Sequence, residues 1–319
     1  MIRSWIEAMR LRTLPVSIAG VIAGTGCAVM LGSFKAVPAI ACLIFAILAQ
    51  IAANFGNEYY DYRNGIDRKG RAGFRRGVTE GEIDPGSMKW ATFIVLALAA
   101  AVGCIMLFYG PWWLVIVGVL IMISALAYSA GPYPLSHHGL GDLAVIVFFG
   151  IIPVTLTCFL QTGSWKGLNI ILPASFAVGL LAANVLIVNN YRDMEDDAAV
   201  GKRTTVVIFG RKFMSLAYLL SGVTGMVVMF PVWTKLPLWS LAVPAVYIVL
   251  HLKVLLNLIK KNKRIFIGVQ LLASHHSESQ IEVLFLVDIL KYLITLLVFG
   301  KIDFHIIFIN PLSDGANNI

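Results

Sequence analysis

Nine apolar stretches, each about as long as a bilayer is thick, leave this chain few ways to fold. They run over residues 13–32, 37–57, 90–109, 112–130, 141–160, 170–190, 213–233, 238–258 and 281–300. A helix rising about 1.5 Å per residue needs about 20 apolar residues to cross a hydrocarbon core of about 30 Å. Inside lipid each backbone N–H and C=O has to find its partner within the segment, so runs of this length are expected to be helices. Hydrophobic residues make up 59% of the 319 and charged ones only 13%, far from the balance of a water-soluble domain. The expected fold is therefore all-α, a polytopic membrane bundle. The ninth run, 281–300, carries Glu282, Asp288 and Lys291 and is the poorest membrane segment of the set.

The net charge of +8 could suggest nucleic acid, but its placement points to membrane orientation instead. Basic residues crowd into alternate connections: Arg3, Arg10 and Arg12; Arg63, Arg68, Lys69, Arg71, Arg75, Arg76 and Lys89; Arg192, Lys202, Arg203, Arg211 and Lys212; Lys260, Lys261, Lys263 and Arg264. The other connections hold only Lys35, Lys166, Lys235 and Lys301. By the positive-inside rule the N-terminus and the basic connections are expected in the cytoplasm, with the chain in the inner (cytoplasmic) membrane. The first run reads as an uncleaved span, because Gly24 is a poor residue for a lipoprotein signal ahead of Cys27. The four cysteines lie in apolar runs without metal-ligand spacing and read as small buried hydrophobes.

Carboxylates gather at two of these cytoplasmic ends. Residues 54–67 read NFGNEYYDYRNGID, and 189–204 read NNYRDMEDDAAVGKRT. Asn57 and Asp61 are four apart and share a helix face, as do Asn189 and Asp193; Asp197 adds a carboxylate one turn on, and Gly65 permits a turn that returns Asp67. Two acidic helix ends in corresponding places suggest one site built from both. The connections 58–89, 129–141 and 191–212 would cap it.

Clustered acids here admit a cation path, a Mg²⁺–diphosphate site or a structural salt-bridge layer. Mg²⁺ is held by one or two carboxylates together with substrate phosphate oxygens. Asp61, Asp67, Asp193 and Asp197 suit such ions, and Asn57 and Asn189 can orient water or phosphate without adding charge. Arg71, Arg75, Arg76, Lys202 and Arg203 supply the cations an anionic substrate needs and a proton path does not. A diphosphate head at the surface with its tail in the bilayer describes a polyprenyl diphosphate. Tyr59, Tyr60, Tyr128 and Tyr191 are nearby aromatics able to face an allylic cation.

These stretches, with LRTLPVSIAGVIAGTG (11–26) and GPYPLSHHGLGDLAVIVFFG (131–150), resemble the UbiA superfamily of intramembrane prenyltransferases. The likeness covers roughly residues 8–260 and is strongest to its 1,4-dihydroxy-2-naphthoate polyprenyltransferases; HGLGD and the NNYRD…GKRT form favour naphthoate over acceptors such as 4-hydroxybenzoate. The resemblance implies nine transmembrane helices around a central cavity open to lipid, a core over 1–262, and a divergent segment over 263–319. It also implies that Asp61, Asp67, Asp193 and Asp197 hold Mg²⁺, that Asn57 and Asn189 help bind diphosphate, and that the product is demethylmenaquinone. On the acceptor side, His138 is a candidate base and Arg12 and Tyr128 are candidate binding residues. A cation-coupled transporter is the non-enzyme alternative. CDP-alcohol phosphotransferases also join membrane helices to aspartates, but their DG…AR…G…D…D run is absent.

Overall fold

The computed structural model describes residues 2–69 and 75–266, and among these it is helical with no β-strand. An amphipathic helix α1 (Ile2–Met9) precedes α2 (Leu14–Met30), α3 (Ala36–Arg63), α4 (Pro85–Ile105) and α5 (Leu114–Ala127). Next come α6 (Gly141–Val145), a π-helical turn (Ile146–Ile151) and α7 (Ile152–Thr162), which form one continuous span. The chain continues through α8 (Leu168–Arg192), α9 (Met194–Ala199), α10 (Thr205–Val228), α11 (Phe230–Trp233) and α12 (Ala242–Phe266). Seven of the described helical spans are long and apolar enough to cross a membrane, and α5 is a shorter apolar helix. Together they account for the first eight apolar runs; the ninth, 281–300, lies outside the described residues.

The bundle is built round α8, which is buried along most of its length against α2, the π-helical turn and α10. In lipid, helices associate by close packing rather than by the hydrophobic effect, so small residues mark the crossings. At the tightest of them, a Cβ on Gly179 of α8 would stand 2.7 Å from the carbonyl oxygen of Ile146, and one on Gly150 would run into the Gly179 backbone. Only two glycines let these backbones meet. The π-helical turn lies just before Pro153, whose missing N–H removes the ordinary bond to a carbonyl one turn back. Outward, large apolar side chains such as Ile44, Leu98, Val119, Leu220 and Val249 stay exposed, as a lipid-facing surface requires.

Two local features fix the helix ends that carry the acidic motifs. Glu58, fully buried on α3, accepts the amide of Val78 at 3.0 Å and holds the returning connection against the helix. In α10 the backbone breaks at Gly210 (φ 78°, ψ 160°), a conformation open to glycine, and Arg211 follows. The Arg211 guanidinium pairs with Glu195, donates to the Tyr191 carbonyl at 3.2 Å and lies over the Tyr191 ring. The second acidic stretch is thereby anchored to α10.

Candidate active site

A cavity of about 470 Å³ lies among α2, α3, α5, the α6–α7 span and α8. Part of its polar lining comes from the C-terminal ends of α3 and α8 and the connections beyond them: Asn57, Asp61 and Arg76 on one side, Asn189, Arg192 and Asp193 on the other. Apolar lining comes from residues such as Phe45, Met122, Phe148 and Phe149, and further polar groups from Arg10, Gln50, Asn54 and Asp142. The two adjacent phenylalanines belong to the π-helical turn, whose wider winding brings both to the lining.

On the first motif the four-residue spacing closes as a hydrogen bond: Asn57 Nδ2 donates to Asp61 Oδ2 at 2.9 Å and to Ser129 Oγ at 2.9 Å. Arg10 Nη2 donates to Asn57 Oδ1 at 2.6 Å. Asp61 is buried, and its Oδ1 accepts no hydrogen bond, with His137 Nε2 at 3.6 Å. Gly65 (φ 68°) turns the chain so that the amide of Asp67 returns to the Asp61 carbonyl at 3.3 Å. The buried Asp67 carboxylate is paired with Arg76 at 3.2 Å and does not itself line the cavity.

The second motif is arranged alike. Asp193 caps α8 and faces the cavity, gripped by its neighbour Arg192 through Nε at 2.6 Å and Nη2 at 2.8 Å. One turn on, the amide of Asp197 bonds to the Asp193 carbonyl, and its buried carboxylate pairs with Lys202 at 3.4 Å. Each motif therefore presents one aspartate to the cavity and keeps a second buried against a cation. Arg68 joins the two stretches, donating to the Ala199 carbonyl at 3.4 Å.

Other candidates from the sequence fall in different places. Tyr128 and Lys202 line the cavity. Arg75 pairs instead with Glu82, and Arg203 is exposed, its backbone amide bonding to the His137 carbonyl at 3.0 Å. Arg12 does not line the cavity; Arg10 does, held in a left-handed backbone conformation (φ 50°) where α1 ends. His138 stacks on Tyr133 and turns Nδ1 to the Pro134 carbonyl at 2.8 Å, whereas its neighbour His137 reaches Asp61. Arg71 lies outside the described residues. Sequence reading counted Arg10 only as a charge anchor and missed His137, Ser129 and Arg192 as neighbours of the aspartates; the basic run and the doubled histidine are the signals that held them.

Among the described residues no three His, Cys, Asp or Glu side chains converge as a metal cage. That donor set suits Mg²⁺ bound through one or two carboxylates with the rest of its shell from phosphate and water. The buried Asp61 Oδ1, without a hydrogen bond, is the kind of hard oxygen such an ion takes.

The profile of the UbiA prenyltransferase family matches residues 17–272. A 1,4-dihydroxy-2-naphthoate octaprenyltransferase of Escherichia coli is 39% identical over 217 residues, 65% of this chain and 69% of that protein. The Haemophilus influenzae protein of the same name is 34% identical over 223 residues, 66% of this chain and 70% of its own. Among solved structures, a UbiA homologue from Aeropyrum pernix superposes with a TM-score of 0.64 at 15% identity, over 88% of this chain and 97% of that one. One from Archaeoglobus fulgidus, solved with DMAPP and Mg²⁺, gives 0.60 at 16%, over 92% and 99%. At these identities the structures speak to the fold.

Proposed function

The chain belongs to the UbiA prenyltransferase family, and from that premise we propose that it transfers a polyprenyl group from polyprenyl diphosphate to 1,4-dihydroxy-2-naphthoate, giving the quinol form of demethylmenaquinone. The names of its bacterial relatives support this acceptor. The observation that carries the chemistry is that Asp61 and Asp193, from two separate stretches of the chain, line one cavity together with Arg10, Arg76, Arg192 and Lys202, and that apolar side chains such as Phe45, Met122 and Phe148 line it as well.

The diphosphate end of the donor would lie between the two aspartates. Arg10, Arg76, Arg192 and Lys202 stand there to neutralise it, and Asn57 and Asn189 to orient it. Asp61 and Asp193 would hold Mg²⁺ directly, with Asp67 and Asp197 drawn on from their pairs with Arg76 and Lys202. When bound, the ion would neutralise charge growing on the departing diphosphate. As the allylic C1–O bond weakens, Tyr128, Phe148 and Phe149 would face the electron-poor carbon without offering water to quench it. The prenyl tail would run along the apolar wall into the bilayer. The ring carbon of the acceptor would then bond to C1 as the C1–O bond breaks and diphosphate leaves, and the ring would give up its carboxyl group as carbon dioxide, with a proton released only where that carboxyl is protonated.

The same reading places this end of the bundle in the cytoplasm, in the inner membrane, because the basic connections share it. The test is to give purified protein a labelled polyprenyl diphosphate and a panel of aromatic acceptors, with and without Mg²⁺. Prenylated naphthoquinol only with Mg²⁺ is expected; product from 4-hydroxybenzoate alone would overturn the acceptor.

A further inference from the structure

Asp142 is a carboxylate to which the reading above gives no task. It sits in the first turn of α6 and lines the cavity, and the Thr205 hydroxyl donates to its Oδ2. Its Oδ1 is buried and accepts no hydrogen bond. Leaving a buried acceptor unmet costs about 1–3 kcal/mol, more when it is charged. Such an oxygen on a cavity wall points to a donor brought by a ligand.

The surroundings define that ligand. Ser136, Gly139 and Gly141 line the cavity nearby with little or no side chain, and a Cβ added to Gly141 would lie 3.4 Å from the Tyr128 hydroxyl. Tyr128 and Leu186 thus pack close to Gly141, and a flat group would lie along this wall, against Tyr128 and Asp142, rather than between them. Val145, Phe149, Val185 and Leu186 offer it apolar cover. A ligand carboxylate is disfavoured beside Asp142, while a ring hydroxyl is a neutral donor, so an acceptor bearing both would turn its hydroxyl to Asp142 and its carboxylate away. A planar apolar ring bearing a hydroxyl satisfies each condition.

We infer that Asp142 Oδ1 accepts a hydrogen bond from a ring hydroxyl of the aromatic acceptor, setting which ring carbon faces the prenyl donor. The inference rests on the prenyl-transfer reading. Thr205 is the positioning residue, since its hydroxyl fixes the rotation of the Asp142 carboxylate. No bond is broken in this contact; a hydroxyl polarised towards a carboxylate donates more electron density to its ring.

The experiment compares wild type with Asp142→Leu, Asp142→Asn and Thr205→Val. It measures donor affinity, turnover of 1,4-dihydroxy-2-naphthoate, and competitive binding of 1-hydroxy-2-naphthoate and 4-hydroxy-2-naphthoate, which each keep one hydroxyl. The expected result is unchanged donor affinity in every variant. In Asp142→Leu, kcat/KM for the dihydroxy acceptor should fall about 10-fold or more, as loss of a hydrogen bond to a charged group implies. The fall should be smaller in Asp142→Asn and Thr205→Val. Wild type should prefer one mono-hydroxy compound over the other, and Asp142→Leu should erase the preference. A preference that survives in Asp142→Leu, or turnover that equals wild type, would overturn the role of Asp142 alone. A wild type that prenylates no acceptor would overturn the prenyl-transfer reading, and this inference with it.

Discussion

His137 Nε2 stands 3.6 Å from Asp61 Oδ1, and the carbonyl of the same histidine accepts the amide of Arg203 at 3.0 Å. One residue therefore ties the connection between α5 and α6 to both acidic stretches. The contact joins the buried Asp61 carboxylate to a partly buried imidazole, and removing the imidazole leaves that carboxylate with one polar neighbour fewer. His137→Ala should lower kcat/KM for the prenyl donor about 10-fold or more. His138→Ala removes a ring that stacks on Tyr133 and bonds to the Pro134 carbonyl without reaching either aspartate, and should change it less than 3-fold. Kinetics on the two variants with donor varied at saturating acceptor decide this; equal losses would show that the connection acts as a unit.

The aspartates facing the cavity should matter individually. Asp61→Ala and Asp193→Ala are each expected to reduce prenyl transfer by at least about 100-fold, the scale on which a preorganised electrostatic group is usually missed. Folding should survive, since each residue lies at a helix end rather than in the packed core. A radiolabel assay in membranes, with the amount of folded protein checked in parallel, is sufficient. Activity near wild type in either variant would remove that motif from the site.

Metal removal offers a second lever. No three ligating side chains converge among the described residues, so the protein should hold Mg²⁺ weakly until diphosphate joins it. Chelation by EDTA is expected to abolish transfer and added Mg²⁺ to restore it. Thermal stability of the free protein should hardly change. A large loss of stability on chelation would mean a tight structural metal instead.

The crossing at Gly150 and Gly179 carries a stability prediction. Gly150→Val drives a branched side chain into the Gly179 backbone, and overpacking of this kind costs about 1–3 kcal/mol. The detergent-solubilised melting temperature should drop by several degrees, and Gly150→Ala should fall between the two. A neutral Gly150→Val would show that the helices are further apart than described.

At the surface, the Ser4 hydroxyl donates to Glu82 at 2.8 Å and the Arg75 guanidinium pairs with its other oxygen; together they hold the Glu82 carboxyl below the usual range. A depressed folded-state pKa contributes stability above the unfolded value, and that contribution disappears as pH falls through the folded one. The protection of α1 amides, with the intrinsic pH dependence of exchange divided out, should therefore hold from neutral pH down to about 5 and fall below about 4, where carboxylates protonate. In Glu82→Gln the α1 amides should exchange faster at neutral pH and show no such acid step.

What the sequence displayed, and what it concealed, follows from how far apart the interacting residues are. The spans were legible because a run such as 170–190 must be helical to enter lipid, and α8 covers Leu168–Arg192. The Asn57–Asp61 contact was legible because the helix repeat places residues four apart side by side. Arg10 was not, because its approach to Asn57 needs a left-handed residue at the end of α1, which local sequence does not specify outside glycine. The Arg211–Glu195 pair was hidden for a related reason: it forms only once Gly210 breaks α10. Between adjacent histidines the sequence offers no basis for choice, since the turn that aims His137 at Asp61 is set by its backbone bonds to the 200–205 connection.

The account depends on two aspartate-bearing helix ends gripping one diphosphate. The most direct measurement is calorimetric titration of the purified protein with a non-hydrolysable prenyl thiolodiphosphate in the presence of Mg²⁺, for wild type, Asp61→Ala, Asp193→Ala and the double variant. One ligand per chain is predicted, with binding lost in either single variant and no further loss in the double. Two independent sites, or wild-type affinity in one of the single variants, would contradict it.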